Sequence, residues 1–169
     1  MKKILALMFA VLVLAALAGC GGNRDAADDT TGAADIAAGA PKIEPGESLA
    51  IPVAEQTGTV KFYSVNVNDT LMEVMAVKTG DGKVRTAFNT CQVCNGSPYA
   101  FFVQKGDVVE CQNCGNQFPM DRVEAEAGGC NPWPIFAGDK TATDTEIQIG
   151  YDFLAANTGL FTNWKVGIS

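Results

Sequence analysis

Cys91-Gln92-Val93-Cys94, a spacer of sixteen residues, and then Cys111-Gln112-Asn113-Cys114-Gly115 decide how this chain is read. Two Cys-x-x-Cys hooks at that separation place four thiolates within reach of one metal ion. Such turns need a residue at ease with positive φ just after the second sulfur. Gly115 follows Cys114 directly, and Gly96 follows Cys94 after Asn95. Between the hooks, Tyr99–Gln104 and Asp107–Glu110 flank Lys105-Gly106, which predicts a compact hairpin. The expected fold is mainly β with a minor helical part. It is a small antiparallel β domain with zinc-ribbon- or rubredoxin-like cysteine knuckles and short helical turns.

A further cysteine sits in Gly128-Gly129-Cys130-Asn131-Pro132, a bent loop suited to approaching a cofactor. Cys91, Cys94, Cys111 and Cys114 are the candidate ligands. Cys130 is an extra ligand, a spare thiol or a reactive one, because five cysteines in the domain cannot all pair with each other. The chain has no histidine. That excludes mixed histidine–cysteine zinc sites, Ser-His-Asp or Cys-His catalysis and Cys-x-x-Cys-His haem attachment. A transition metal here is held by sulfur, and an all-sulfur tetrahedral set suits zinc, iron or a small iron–sulfur cluster. Structural disulfides and a thioredoxin-type dithiol are the alternatives on cysteine content alone. No βαβ pattern surrounds either hook, which argues against the dithiol.

Outside this core the chain divides into three parts. Residues 1–19 read as a lipoprotein signal peptide: Lys2 and Lys3 start it, Ile4–Ala16 is apolar, and Leu17-Ala18-Gly19-Cys20 matches a lipobox. Cys20 is then the lipidation site, and the protein is expected on a membrane, facing away from the cytoplasm, in a periplasm or at a cell surface. Residues 20–48 are rich in Gly, Ala, Asp and Thr without an aromatic residue, which predicts a flexible tether. Residues 49–169 form the cysteine-rich domain, of ordinary single-domain size. The formal charge is −7, or −9 once Lys2 and Lys3 leave with the leader. That balance is hostile to nucleic acid, which wants clustered cations.

Within the domain, Leu49–Val53 reads as a short edge strand and Thr59–Val67 as a strand ending at an Asn68-Asp69-Thr70 turn. Leu71–Lys78 is the next strand, with Met72, Val74 and Ala76 on one face, and Thr79–Gly82 is a turn. Val84–Phe88 delivers the chain to the first hook. Pro119–Glu126 is expected as a short helix, Asn131–Pro134 as rigid loop, Glu146–Gly150 as a strand and Tyr151–Asn157 as a helical turn. Trp133, Tyr99, Phe101, Phe102 and Phe118 are candidates to shield the site or simply to fill the core. Asp121, Glu124 and Glu126 are weaker candidates for cation capture. Met72 and Met75 are soft copper ligands or packing.

The run Phe88–Cys94, Gly106–Pro119 and Gly128–Pro132, entered through Lys78–Ala87 and closed by Ile147–Phe161, resembles the FtrD-like family of membrane iron–sulfur-containing domains. The resemblance covers roughly residues 50–162. It implies an iron–sulfur or other metal site on these cysteines. It also implies a place in membrane-associated ferrous iron uptake, beside a permease and a periplasmic copper- or iron-binding protein. Several members carry transmembrane helices ahead of this domain, where this chain has a lipobox and tether. The expectation is a metal-handling or electron-transfer protein rather than a classical enzyme. The alternatives are a zinc-stabilised binding module and a thiol–disulfide oxidoreductase.

Overall fold

A computed structural model describes residues 39–168, so the leader, Cys20 and the first part of the tether lie outside the described residues. Ten strands and one α-helix follow in order: β1 Ser48–Pro52, β2 Lys61–Val67, β3 Thr70–Lys78, β4 Val84–Cys91, β5 Phe102–Lys105, β6 Val108–Cys111, β7 Gln117–Pro119, β8 Pro132–Pro134, β9 Thr141–Ala142, β10 Glu146–Gly150 and α1 Tyr151–Ala156. They make three antiparallel sheets, ordered β2-β3-β4-β8, β1-β10-β9 and β5-β6-β7. The mainly antiparallel β fold read from the sequence is the one found.

The β2–β3 hairpin shows how local chemistry sets register. Val67 pairs with Thr70 across a two-residue loop, and Asn68 and Asp69 both take positive φ, at 49° and 59°. Two-residue hairpins favour such left-handed loops because they match strand twist, and Asn and Asp tolerate them. At the β3–β4 turn, Asp81 accepts from the Thr79 hydroxyl and the Lys83 amide, and these bonds hold its carboxyl down at about 2.

Strand β3 is buried on both faces, and its alternation divides the interior in two. Met72, Val74 and Ala76 face a core filled from β1 by Leu49 and Ile51, from β10 by Ile147 and Ile149, and by Leu154, Phe161 and Trp164. Phe88 lies in that core, stacked on Phe153 at 5.7 Å and edge-on to Phe161 at 5.6 Å. Met75 and Val77 face the other core, which the β5-β6-β7 ribbon closes with Phe102, Val109 and Phe118. Full burial of one such side chain is worth about 1.5–3 kcal/mol. Each core is therefore a substantial fraction of the stability.

Four segments differ from the sequence reading. Pro119–Glu126 is not a helix: β7 runs to Pro119, a 3-10 turn spans Met120–Arg122, and Glu124 takes φ 65°. Burial of Met120 and Val123 against the ribbon core holds that irregular path. Asn131–Pro134 contains a strand, β8, paired with β4. It forms the sheet edge, where a proline's missing N–H costs no ladder bond. β9 was not anticipated. The end of the expected tether is docked: Asn66 donates to the Pro41 carbonyl, Ile43 donates to that of Asn66, and Ile43 is buried.

Candidate metal centre

Strand β4 places Ala87, Asn89 and Cys91 on the face turned to the ribbon, and β6 ends at Cys111 on the facing element. Both cysteines are fully buried. The chain then turns sharply after each, bringing Cys94 back half-buried and Cys114 back exposed. The Sγ atoms of Cys91, Cys94, Cys111 and Cys114 lie within 4.8 Å of one another. All four expected ligands converge.

The hooks are built alike. The amides of Val93 and Cys94 point at the Cys91 sulfur, and those of Asn113 and Cys114 at the Cys111 sulfur. Gly96 and Gly115 take φ 95° and 71°, which lets each turn close. Ser97 of the first hook donates to Asn113 of the second at 2.7 Å. The Cys91 thiol donates to the Cys111 sulfur. That bond and the amides hold Cys111 down at about 5, against burial, while Cys91 is pushed well above the ordinary thiol range. Burial pushes Cys94 up to about 11.

Cys130 arrives on a loop clasped by both hooks. Gln92 accepts from the Gly128 amide through its side chain, donates to the Pro132 carbonyl, and donates its own backbone N–H to Asn131. Asn116 donates to the Cys130 carbonyl at 3.0 Å. The Cys130 thiol is half-buried and hydrogen-bonds with Cys114, which pushes its proton affinity up.

Behind the first hook lies a buried polar network that the sequence reading missed. Asn89 donates to Glu73 at 2.7 Å and accepts from the Phe102 amide at 2.7 Å. Glu73 is paired with Lys165 at 3.6 Å, and both are at most 3% exposed. The Lys165 ammonium lies 4.7 Å from the ring centroids of Phe101 and Trp164. Trp164 donates to the Asn89 carbonyl. A lone amide in an apolar strand was the available signal for Asn89; nothing local pointed to Lys165.

The remaining candidates divide. Phe102 and Phe118 pack in the core that holds the sulfurs, while Phe101 and Trp133 belong to the opposite core and Tyr99 is exposed. Met72 and Met75 lie on opposite faces of β3 in different cores, so they share no site. Glu124 is occupied by Lys140 and the Thr86 amide, and Glu126 by Arg122. No cation pocket forms among Asp121, Glu124 and Glu126. The segments 91–104, 111–120, 127–138 and 153–164 carry no charged residue.

The donor set fits iron, which thiolates hold readily. The four sulfurs lie close enough together to share one metal, and an all-sulfur set suits iron, a small iron–sulfur cluster or zinc. Among the described residues, no helix is long and apolar enough to cross a membrane.

A family model described as "Membrane iron-sulfur containing protein FtrD-like" matches residues 56–161. No curated protein matches the chain. Among solved structures, the chain is similar to the quaternary ammonium Rieske monooxygenase CntA in complex with an inhibitor. The identity is 12% and the TM-score 0.41, over 67% of this chain. The match spans 33% of that protein's length, and a likeness this slight carries no weight here.

Proposed function

This chain belongs to the FtrD-like family of membrane iron–sulfur-containing proteins, and on that premise we propose that it is a lipid-anchored, extracytoplasmic iron-binding protein serving iron uptake or electron transfer at the membrane. The observation that carries the reading is the convergence of four thiol sulfurs within 4.8 Å, on two hooks whose amides already point at the buried sulfurs. When bound, iron supplies one-electron exchange. The chain's part is to hold four thiolates, to stabilise their charge with backbone N–H groups, and to keep water from Cys91 and Cys111. Cys20, at the head of the expected tether, would carry the lipid. The family's tie to iron permeases makes a permease and a periplasmic metal-binding protein the expected partners.

The spacing supports a second reading, a single zinc ion whose binding only stabilises the fold. Metal and labile-sulfide analysis with a visible spectrum, on full-length protein purified without oxygen, separates the two. Iron with a colour that bleaches on reduction supports the redox reading, and the sulfide content tells a cluster from a single iron. One zinc and no colour overturns it.

A further inference from the structure

Resting on the metal-site reading above, we infer that the C-terminal segment 160–165 is a strap that holds the first hook in its metal-binding shape, with Asn95, Asn163 and Trp164 as positioning residues for Cys91 and Cys94. Hydrogen bonds to that segment fall on both sides of the two sulfurs. Ahead of Cys91, the buried Trp164 ring donates its indole N–H to the Asn89 carbonyl at 2.7 Å. Behind Cys94, Asn95 donates to the Leu160 carbonyl at 2.7 Å, Asn163 to the Gly96 carbonyl at 3.2 Å, and the Lys165 amide to the Pro98 carbonyl at 3.0 Å. Asn95 also reaches back to the Thr90 hydroxyl at 3.4 Å, which ties the two flanks of the hook to each other. Asn163, Trp164 and Lys165 lie beyond residue 161, where the family match ends.

The strap ends on a backbone outlier. Lys165 takes φ 52°, a left-handed conformation that a side chain disfavours. Such residues persist only where their surroundings hold them. Here the amide is bound to Pro98, and the buried ammonium lies 3.6 Å from Glu73 and 4.7 Å from the ring centroids of Phe101 and Trp164. The benefit to the site is preorganisation. A tetrahedral ion needs its sulfurs at fixed separations, and a loose turn must give up its freedom when the ion arrives. The strap removes that freedom from the first hook beforehand. Linkage makes the effect mutual: the factor by which the docked strap strengthens metal binding is the factor by which bound metal strengthens strap docking.

The test uses cobalt(II) as the probe on full-length protein without oxygen. Its sulfur charge-transfer band counts thiolates, its visible bands report tetrahedral geometry, and competition with a chelator gives affinity. Asn95 and Asn163 are both exposed, so the Asn95→Ala/Asn163→Ala double variant should fold. It should keep a four-thiolate spectrum and bind cobalt roughly tenfold more weakly. Trp164→Phe keeps a ring, loses the indole N–H, and should weaken binding about fivefold. Asp81→Ala, at the opposite end of β4 from Cys91, loses the bonds from Thr79, Lys83 and Arg85 and should leave cobalt affinity unchanged. In wild type, bound cobalt should slow hydrogen exchange of the Lys165 amide by roughly tenfold, and by less in the double variant. A double variant that binds cobalt as wild type does overturns the strap while leaving the metal site intact. So does an equal loss of affinity in Asp81→Ala, or a Lys165 amide whose exchange ignores cobalt. A wild type without a four-thiolate spectrum overturns the metal site itself, and the strap with it. Should Trp164→Phe not fold, the double variant and the exchange rates decide.

Discussion

The first hook leaves β4, inside the central sheet, and the C-terminal segment closes over it: Asn95 donates to the Leu160 carbonyl, Asn163 to Gly96, and the Lys165 amide to Pro98. The second hook leaves β6, inside the small ribbon, and its turn stands open to solvent, bonded to Ser97, to Phe101 and to the Cys130 loop. The two turns have the same backbone design and unlike supports. One is a platform, fixed by contacts remote in sequence. The other is presented, and its outer sulfur, on Cys114, is exposed. Rigidity on one side keeps geometry, while freedom on the other gives access.

The platform breaks first at its buried charge pair. Lys165→Met leaves Glu73 charged and buried without its cation, and should cost about 3–5 kcal/mol in equilibrium unfolding. The Glu73→Gln/Lys165→Met double variant should recover most of that loss. A cost below about 1 kcal/mol would mean that the tail is not a support. Asn89→Leu comes next. It strips a donor from Glu73 and an acceptor from the Phe102 amide, at about 3 kcal/mol in total. Neither change touches the second hook, so in the surviving folded fraction the cobalt spectrum should keep its tetrahedral form.

What could be read in advance follows from the range of each interaction. The hooks, the hairpin between them, the Asn68-Asp69 turn and the facing of Met72, Val74 and Ala76 are set within a few residues, and the chain displayed them. Pro132–Pro134 looked like loop because two prolines discourage a strand. Only knowledge that it would lie at a sheet edge beside β4 reverses that. Phe101 and Phe102 are neighbours that serve opposite cores, a fact fixed by strand facing and invisible in composition. Lys165 and Glu73 are separated by most of the domain, and nothing near either residue announces the other. At the site itself the four converging cysteines were legible, while the amide clasps of Gln92 and Asn116 depend on where the Cys130 loop comes to rest.

The two hooks can be compared directly through their glycines. Gly96→Ala and Gly115→Ala each force a side chain into left-handed backbone, with open space around the added carbon, so strain is the only cost, about 1–2 kcal/mol apiece. The cost should surface differently. At the first hook the closed platform resists any shift, so Gly96→Ala should lower unfolding stability with or without metal. At the exposed second hook the metal-free turn can relax, so Gly115→Ala should weaken metal affinity about tenfold and leave metal-free stability nearly unchanged. Equal effects on metal-free stability would show that the second turn is as fixed as the first.

The smallest effect is the most pointed. Ser97→Ala removes a side-chain bond that joins the two turns, an exposed contact at 2.7 Å worth about 0.5–1 kcal/mol at most. If the second hook moves against a still first hook, that bond is part of what restrains the motion. Its loss should leave the thiolate count at four and speed cobalt release to a chelator, by up to about fivefold for that energy. An unchanged release rate would mean that the second turn is as fixed as the first, and that the difference between the hooks is one of exposure alone.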